Sequence, residues 1–304
     1  MIAPVKVSAT EDGVRLHRWL ARHYSGANIV QANHLCRSGE IRVNSKRVTS
    51  GAILRAGDIV RVPPSIVNRP AQIAQTDSSQ KFSLEELERL RKTIIHNDSD
   101  LVIFNKSAGL AVQGGSGVKK SLDRMAAALF PNDTVLLVHR LDKETSGIII
   151  VAKNQMAAQK LSAGFQGKEI HKEYIALLAG SISPKQGVID SAIDGKKAIT
   201  KYNVIGELKG YLTFVRFTPE TGRKHQLRIH SSKVLNAPIV GDDLYGTRAL
   251  SGNLKTILSP NHLYLFAARL TFRHPRTGKN ITINAVMPSW MQSVAELCEV
   301  EVRN

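Results

Sequence analysis

Four consecutive β-branched residues, Ile148-Ile149-Ile150-Val151, stand at the centre of the hydrophobic pattern of this chain. A run of that kind, entered through the turn-forming residues Thr145-Ser146-Gly147, predicts a strand buried on both faces. Further apolar stretches predict strands at Leu101-Val102-Ile103-Phe104, Val135-Leu136-Leu137-Val138, Tyr174-Ile175-Ala176-Leu177-Leu178, Leu212-Thr213-Phe214-Val215 and Asn280-Ile281-Thr282-Ile283-Asn284. Residues 122–130 and 154–165 carry helical spacing between them. The fold class expected is α+β, with a mixed, largely antiparallel sheet.

The front of the chain has a different rhythm. Leu16, Trp19, Leu20 and His23 recur at helical spacing and leave Arg15, Arg18 and Arg22 largely off the apolar stripe. Ile29, Leu35 and Cys36 suggest a second short helix stopped by Ser38-Gly39. Ile41-Arg42-Val43-Asn44 and Lys46-Arg47-Val48 alternate around a tight turn, and a strand over 58–62 ends at Pro63-Pro64. These elements make a small α/β domain over 14–64. Residues 65–83, polar and aperiodic, are expected to be a linker. Leu84, Leu87 and Leu90 mark a short helix opening a large domain over 84–304.

Charge narrows the choice of partner. The 304 residues hold 42 Lys+Arg against 25 Asp+Glu, a net charge of +17, which points to a polyanion. Nine of the basic residues but only two acids fall between residues 14 and 64, so Arg15, Arg18, Arg22, Arg42, Lys46 and Arg47 are candidate nucleic-acid contacts. Neither a lipidation motif nor an apolar stretch of membrane-spanning length accompanies them, so no membrane is expected. Two distant cysteines, Cys36 and Cys298, suggest neither a disulfide framework nor a zinc site. With no secretion signal at Met1-Ile2-Ala3-Pro4, a cytoplasmic protein acting as a monomer is expected.

The segment His139-Arg140-Leu141-Asp142-Lys143-Glu144-Thr145-Ser146-Gly147 places a carboxylate and a guanidinium at the mouth of the buried strand. An Asp–Arg neighbour pair is by itself more often structural than catalytic. Other polar groups gather elsewhere. Lys172-Glu173-Tyr174 opens a strand and can offer a ring face to a flat ligand, although a lone Tyr is more often core. Thr221-Gly222-Arg223-Lys224-His225-Gln226-Leu227-Arg228-Ile229-His230 concentrates donors, with a helix starting near His225. His225 and His230 lack a third ligand, so no metal is expected. Gly241-Asp242-Asp243-Leu244-Tyr245-Gly246 reads as a turn.

Two resemblances join these segments. Arg15-Leu16-His17-Arg18-Trp19-Leu20, followed by residues 38–48, resembles the small RNA-binding module of a ribosomal protein of the S-four type, with Ser45 in place of the usual hairpin Gly. Asn105-Lys106-Ser107-Ala108-Gly109-Leu110, the His-Arg-Leu-Asp segment, Lys172-x-Tyr174-x-Ala176-Leu177 and the 221–230 segment, in that order, resemble the RluA-type pseudouridine synthases. The resemblance implies a cofactor-free isomerisation of uridine in structured RNA, most naturally large-subunit ribosomal RNA. Transfer RNA, or an inactive RNA-binding assembly factor, are the alternatives. It implies that Asp142 is the reacting carboxylate, that Arg228 pairs with it and keeps it ionised, that Tyr174 stacks on the base and helps take the C5 proton, and that Leu227 touches the base. Arg140 is the candidate to fill the gap left by the flipped base. Arg223, His225 and Gln226 either bind phosphate and orient the site or hold their own loop by local hydrogen bonds.

Overall fold

A computed structural model describes residues 4–24, 27, 29–67, 82–114, 118, 120–208, 210–246, 257–259 and 262–300. The chain divides into two compact units, 1–81 and 82–304. Most of the expected linker, residues 68–81, lies outside the described residues.

The small unit runs β1 (Val5–Lys6), α1 (Leu16–His23), α2 (Ile29–Ser38), β2 (Arg42–Val43), β3 (Lys46–Arg47), β4 (Ile59–Arg61) and α3 (Pro64–Val67). Its sheet has the order β1-β4-β2-β3, with every pairing antiparallel. Leu16, Trp19 and Leu20 bury the apolar stripe of α1 against Ala32, Cys36, Ile41 and Val60, and His23 stacks on Trp19 at 4.1 Å. Asn44 and Ser45 both take positive φ (48° and 64°) between the paired residues Val43 and Lys46, the backbone of a type I′ turn. The unit passes the expected 14–64 at both ends. Val5 and Lys6 pair with β4, and Ile66, in the helical turn α3, is buried in the same core. Strands of two residues and single helical turns leave no period to read in the sequence.

The large unit runs α4 (Leu84–Arg91), β5 (Ile94–Asn97), β6 (Leu101–Lys106), α5 (Leu122–Leu129), β7 (Leu136–Leu137), β8 (Ser146–Ala152), α6 (Gln155–Gln166), β9 (His171–Ala179), β10 (Gln186–Asp190), β11 (Ile199–Leu208), β12 (Leu212–Pro219), α7 (Gln226–Lys233), β13 (Leu265–Arg273), β14 (Asn280–Asn284) and a last helix, Ser289–Leu297. One ten-stranded sheet has the path β10-β11-β12-β9-β13-β8-β6-β5, with β14 on β13 and β7 on β8. All pairings are antiparallel except β8 with β13. The mixed, largely antiparallel sheet is therefore as expected. No described helix is long and apolar enough to cross a membrane.

The β8 strand is buried on both faces. Ile149 and Val151 pack with Val102, Phe104, Leu122 and Met125 on one side, while Ile148 and Ile150 pack with Leu101, Ile103, Ala157 and Leu161 on the other. The β5–β6 turn is clasped to the β13–β14 turn by a bidentate pair, with Arg276 Nε and Nη2 donating to Asp100 at 2.7 and 2.6 Å. Asp98, Asp100 and His274 are close enough together to hold a cation, but Arg276, Asn154 and His96 already engage their carboxylates.

At the parallel junction Ser146 and Gly147 face Phe266 and Ala267. Gly147 has φ +109°, and a Cβ there would lie 2.3 Å from the Ala267 carbonyl oxygen and 2.6 Å from its nitrogen. Only glycine lets the two backbones come this close. Gly147→Ala should therefore destabilise the large unit by at least ~3 kcal/mol, combining the φ strain with a backbone clash that cannot relax, as read by the lowered melting temperature.

Candidate active site

The loop ahead of β8 is anchored from two sides. His139 Nε2 accepts a hydrogen bond from the Ile150 N–H at 2.8 Å, so its proton sits on Nδ1, and the ring stacks on Phe165 at 4.3 Å. Burial, and then the Lys172 charge, hold its pKa down at about 3, which keeps the ring neutral. On the other side the buried Lys106 ammonium donates to the carbonyls of Ser107, Leu110 and Lys143 at 3.0, 2.9 and 2.9 Å. Burial lowers its pKa to about 8, against the opposing charges of Glu144 and Asp142. The turn closed by Thr145 N–H to Asp142 C=O at 3.1 Å is thus pinned on both flanks, and Asp142 sits on it, in the wall of a cavity of about 680 Å³.

Tyr174, Leu227 and Arg228 line the same cavity, as do Arg140, Arg223, His225 and Gln226. The fold therefore brings together every candidate catalytic and substrate residue of the large domain. Tyr174 pairs with Ala267 of β13 and Phe217 of β12, which puts its ring beside the parallel junction. Burial, and then the Asp142 charge, push its phenol pKa up, which keeps the hydroxyl protonated. Arg140 is exposed and carries no ion pair among the described residues. Leu227 is buried in the core, with an edge on the cavity.

Two expectations need correction. Gln226 has no group left for substrate. Its Oε1 accepts from Thr221 Oγ1 and Arg223 N at 2.8 and 3.0 Å, and its Nε2 donates to Ile199 O and Thr200 Oγ1, both at 2.9 Å. All four of its hydrogen-bonding positions are used, two to hold the 221–225 loop and two to fasten it to β11. Arg223 also gives its Nε–H to the Lys197 carbonyl, at 3.0 Å.

The second correction concerns Arg228, whose carboxylate partner is Asp242 and not Asp142. Its Nε and Nη2 donate to the two Asp242 oxygens at 2.8 and 2.6 Å, with the Asp242 side chain wholly buried. Burial would raise the Asp242 pKa, but the Arg228 hydrogen bonds and the N–H groups of Tyr245 and Leu244 hold it below the usual carboxylate value. Gly241 (φ +77°) makes the turn feasible, since a Cβ there would lie 1.8 Å from the His262 carbonyl oxygen. Sequence reasoning passed over this aspartate as one more turn residue. The available signal was its place one glycine after the apolar Pro238-Ile239-Val240, where an unpaired carboxylate would be costly.

The direct neighbour of Asp142 is His225, with Nε2 3.8 Å from Oδ1. His225 caps α7 in the left-handed region (φ 54°), and its Nδ1 lies 2.9 Å from the Tyr245 hydroxyl. Burial lowers its pKa against the pull of Asp142, with the Arg228 and Lys224 charges lowering it further. A neutral ring with its Nε2–H toward the carboxylate leaves Nδ1 to accept from Tyr245. Asp242, by capping the N–H groups of Leu244 and Tyr245, fixes both Arg228 and the hydroxyl behind His225. In the small unit Arg15, Arg18, Arg22, Lys46 and Arg47 are exposed, and the half-buried Arg42 also donates to the Gly39 carbonyl at 3.2 Å.

A carboxylate in a cavity with an aromatic ring, an apolar edge and buried guanidinium support suits chemistry on a flat, uncharged base held out of its stack. The family model described as RNA pseudouridylate synthase matches residues 100–233, and the S4 domain model matches residues 14–60. The chain is 33% identical over 95% of its length to ribosomal large subunit pseudouridine synthase C of Vibrio parahaemolyticus, covering 94% of that protein. It is 33% identical over 99% of its length to the protein of the same name from Escherichia coli, covering 96% of it. Among solved structures, human RNA pseudouridylate synthase domain containing 4 superposes with a TM-score of 0.62 at 25% identity, over 72% of this chain and 97% of that one. This chain, with its S4 domain and its assembled cavity, belongs to the RNA pseudouridylate synthase family.

Proposed function

We propose that this enzyme converts uridine to pseudouridine in large-subunit ribosomal RNA, in the cytoplasm, with Asp142 as the reacting carboxylate. The observation that carries the reading is the placement of Asp142 on a doubly anchored turn in the same cavity as Tyr174 and Leu227. The reaction breaks the bond from ribose C1′ to N1 of uracil and joins C1′ to C5, with the C5 proton lost and N1 protonated. It needs an ionised carboxylate, either to attack the nucleoside or to remove a ribose proton. Tyr174 stacks on the base and Leu227 seats its edge. Arg140, exposed and unpaired, enters the gap that the flipped base leaves.

Arg228 serves this site at one remove. Its charge is held in place by Asp242 and acts on Asp142 through space, while His225, backed by Tyr245, orients the carboxylate directly. Arg223 and Lys224 offer charge to the phosphate backbone at the cavity rim. The S4 domain supplies RNA affinity through Arg15, Arg18, Arg22, Arg42, Lys46 and Arg47. The choice of large-subunit RNA is supported by the names of the relatives, and Cys36 and Cys298, both free and buried, suit a reducing compartment.

The deciding experiment maps pseudouridines in total RNA from cells with and without the protein, and from cells carrying Asp142→Asn. Sites in large-subunit RNA should disappear in both the deletion and the variant, and purified Asp142→Asn should turn over at least ~10⁴-fold more slowly on unmodified RNA. Loss of transfer RNA sites instead, or wild-type turnover by the variant, would overturn the reading.

Arg228→Met tests the support of the site. In the intact protein the folded pKa of Asp242 lies below its unfolded value of 3.8, so the pair stabilises above that value and the contribution is lost as pH falls through the folded pKa. Without Arg228, burial is opposed only by the N–H groups of Leu244 and Tyr245, so the folded pKa rises and the contribution that the pair makes near neutral pH is lost. The deficit against wild type should be about 3–5 kcal/mol near neutral pH and should shrink toward pH ~4, as measured by denaturant titrations across that range.

A further inference from the structure

We propose that Lys172 forms a subsite for a phosphodiester flanking the extruded uridine. The inference rests on the reading of the cavity as a uridine site. It starts from the alternation of β9. Lys172 and Tyr174 both line the Asp142 cavity, while Glu173 and Ile175 line a separate depression on the opposite face of the sheet. Two residues apart on one strand face, their Cα atoms are about 7 Å apart, so the ammonium stands beside the ring on which the base would stack.

Of the other charges around the cavity, Arg140, Lys168 and Lys224 are exposed to solvent and the remainder are engaged within the protein. Arg228 is held by Asp242, the Arg223 Nε–H by the Lys197 carbonyl, and Glu220 by Lys201 at 2.9 Å. Lys172 is only half-exposed, yet among the described residues it has neither an ion pair nor a hydrogen bond. His139, its neighbour in the wall, is neutral and has its acceptor nitrogen committed to Ile150, so it offers no compensation. Burial lowers the Lys172 pKa, the sign of a cation short of solvent and of counter-charge. An anion placed beside it removes that cost. Uracil is uncharged, so the part of an extruded nucleotide that meets this need is its phosphodiester. Exposed Arg140, on the same cavity, leaves the base stack side to a planar wedge and the strand side to a point charge.

The test is equilibrium binding of the full-length protein to an unmodified transcript of large-subunit ribosomal RNA over a range of salt. It is carried out in an Asp142→Asn background, so that turnover plays no part. Lys172→Met should lower the slope of log affinity against log salt by about one unit, and Lys172→Arg should restore it. A second measurement uses a fragment bearing the mapped uridine with a neutral methylphosphonate at its 5′ or 3′ linkage. At one of the two linkages the substitution should weaken wild-type lysine binding about tenfold and weaken Lys172→Met no further. An unchanged slope, additive losses, or indifference of the lysine protein to both methylphosphonates would overturn the proposal. If Lys172→Met fails to fold, the arginine variant and the methylphosphonate pair still decide it. Failure of the parent reading would look different: no pseudouridine from the wild type, whatever the binding slopes.

Discussion

The buried pair of Arg228 and Asp242 is the interaction on which the site depends. Two charges removed from water are worth keeping only when they are well matched, and here both oxygens of Asp242 meet nitrogens of Arg228, with the N–H groups of Leu244 and Tyr245 added at Oδ1. The pair therefore contributes position more than stability. It ties the first turn of α7 to the 241–246 turn, two segments that meet in no strand pairing, and through Tyr245 it sets the ring of His225 against Asp142. Gly241 and Gln226 serve the same end, one by letting the turn pass under the His262 carbonyl and the other by bracing the loop before α7.

Much of this was legible in the residues because it is local. The tight turn between Val43 and Lys46, the buried strand from Ile148 to Val151, and the helix starting near His225 each follow from spacing and turn chemistry within ten residues, whereas the type of that turn, with Ser45 where Gly is usual, does not. The Asp142 segment was legible for a different reason: a long motif carried a resemblance that spacing alone did not supply. The unread parts are non-local. β13, Leu265 to Arg273, mixes arginines into an apolar run and shows its importance only once it lies between β8 and β9. The partner of Arg228 could not be chosen between two aspartates, because a one-dimensional pattern does not say which carboxylate is buried beside which guanidinium. Gln226 looked like a ligand for the same reason that it is a good brace, namely four hydrogen-bonding positions on one planar group.

Three lysines show how surroundings decide what a cation does. Lys106 spends all three of its protons on carbonyls and is structural. Lys153 donates to the Asp98 carbonyl and pairs with Asp133 at the far end of β8, part of the clasp that closes the sheet edge. Lys172 has neither arrangement and lines the cavity, so its demand for an anion is unmet among the described residues. The aspartates divide likewise: Asp100 and Asp242 are saturated by arginines, while Asp142 has a single neutral imidazole at 3.8 Å.

The parallel junction also sets the order in which the enzyme can be assembled. β8 and β9 are close in sequence but never adjacent in the sheet, because β13, made about a hundred residues later, lies between them. On a chain synthesised from its N-terminus the S4 domain can close early on local contacts, whereas the cavity cannot close until residues 265–273 have slotted in. The small unit is thus complete before the large one, and a chain cut short of β13 lacks the strand against which its site is built.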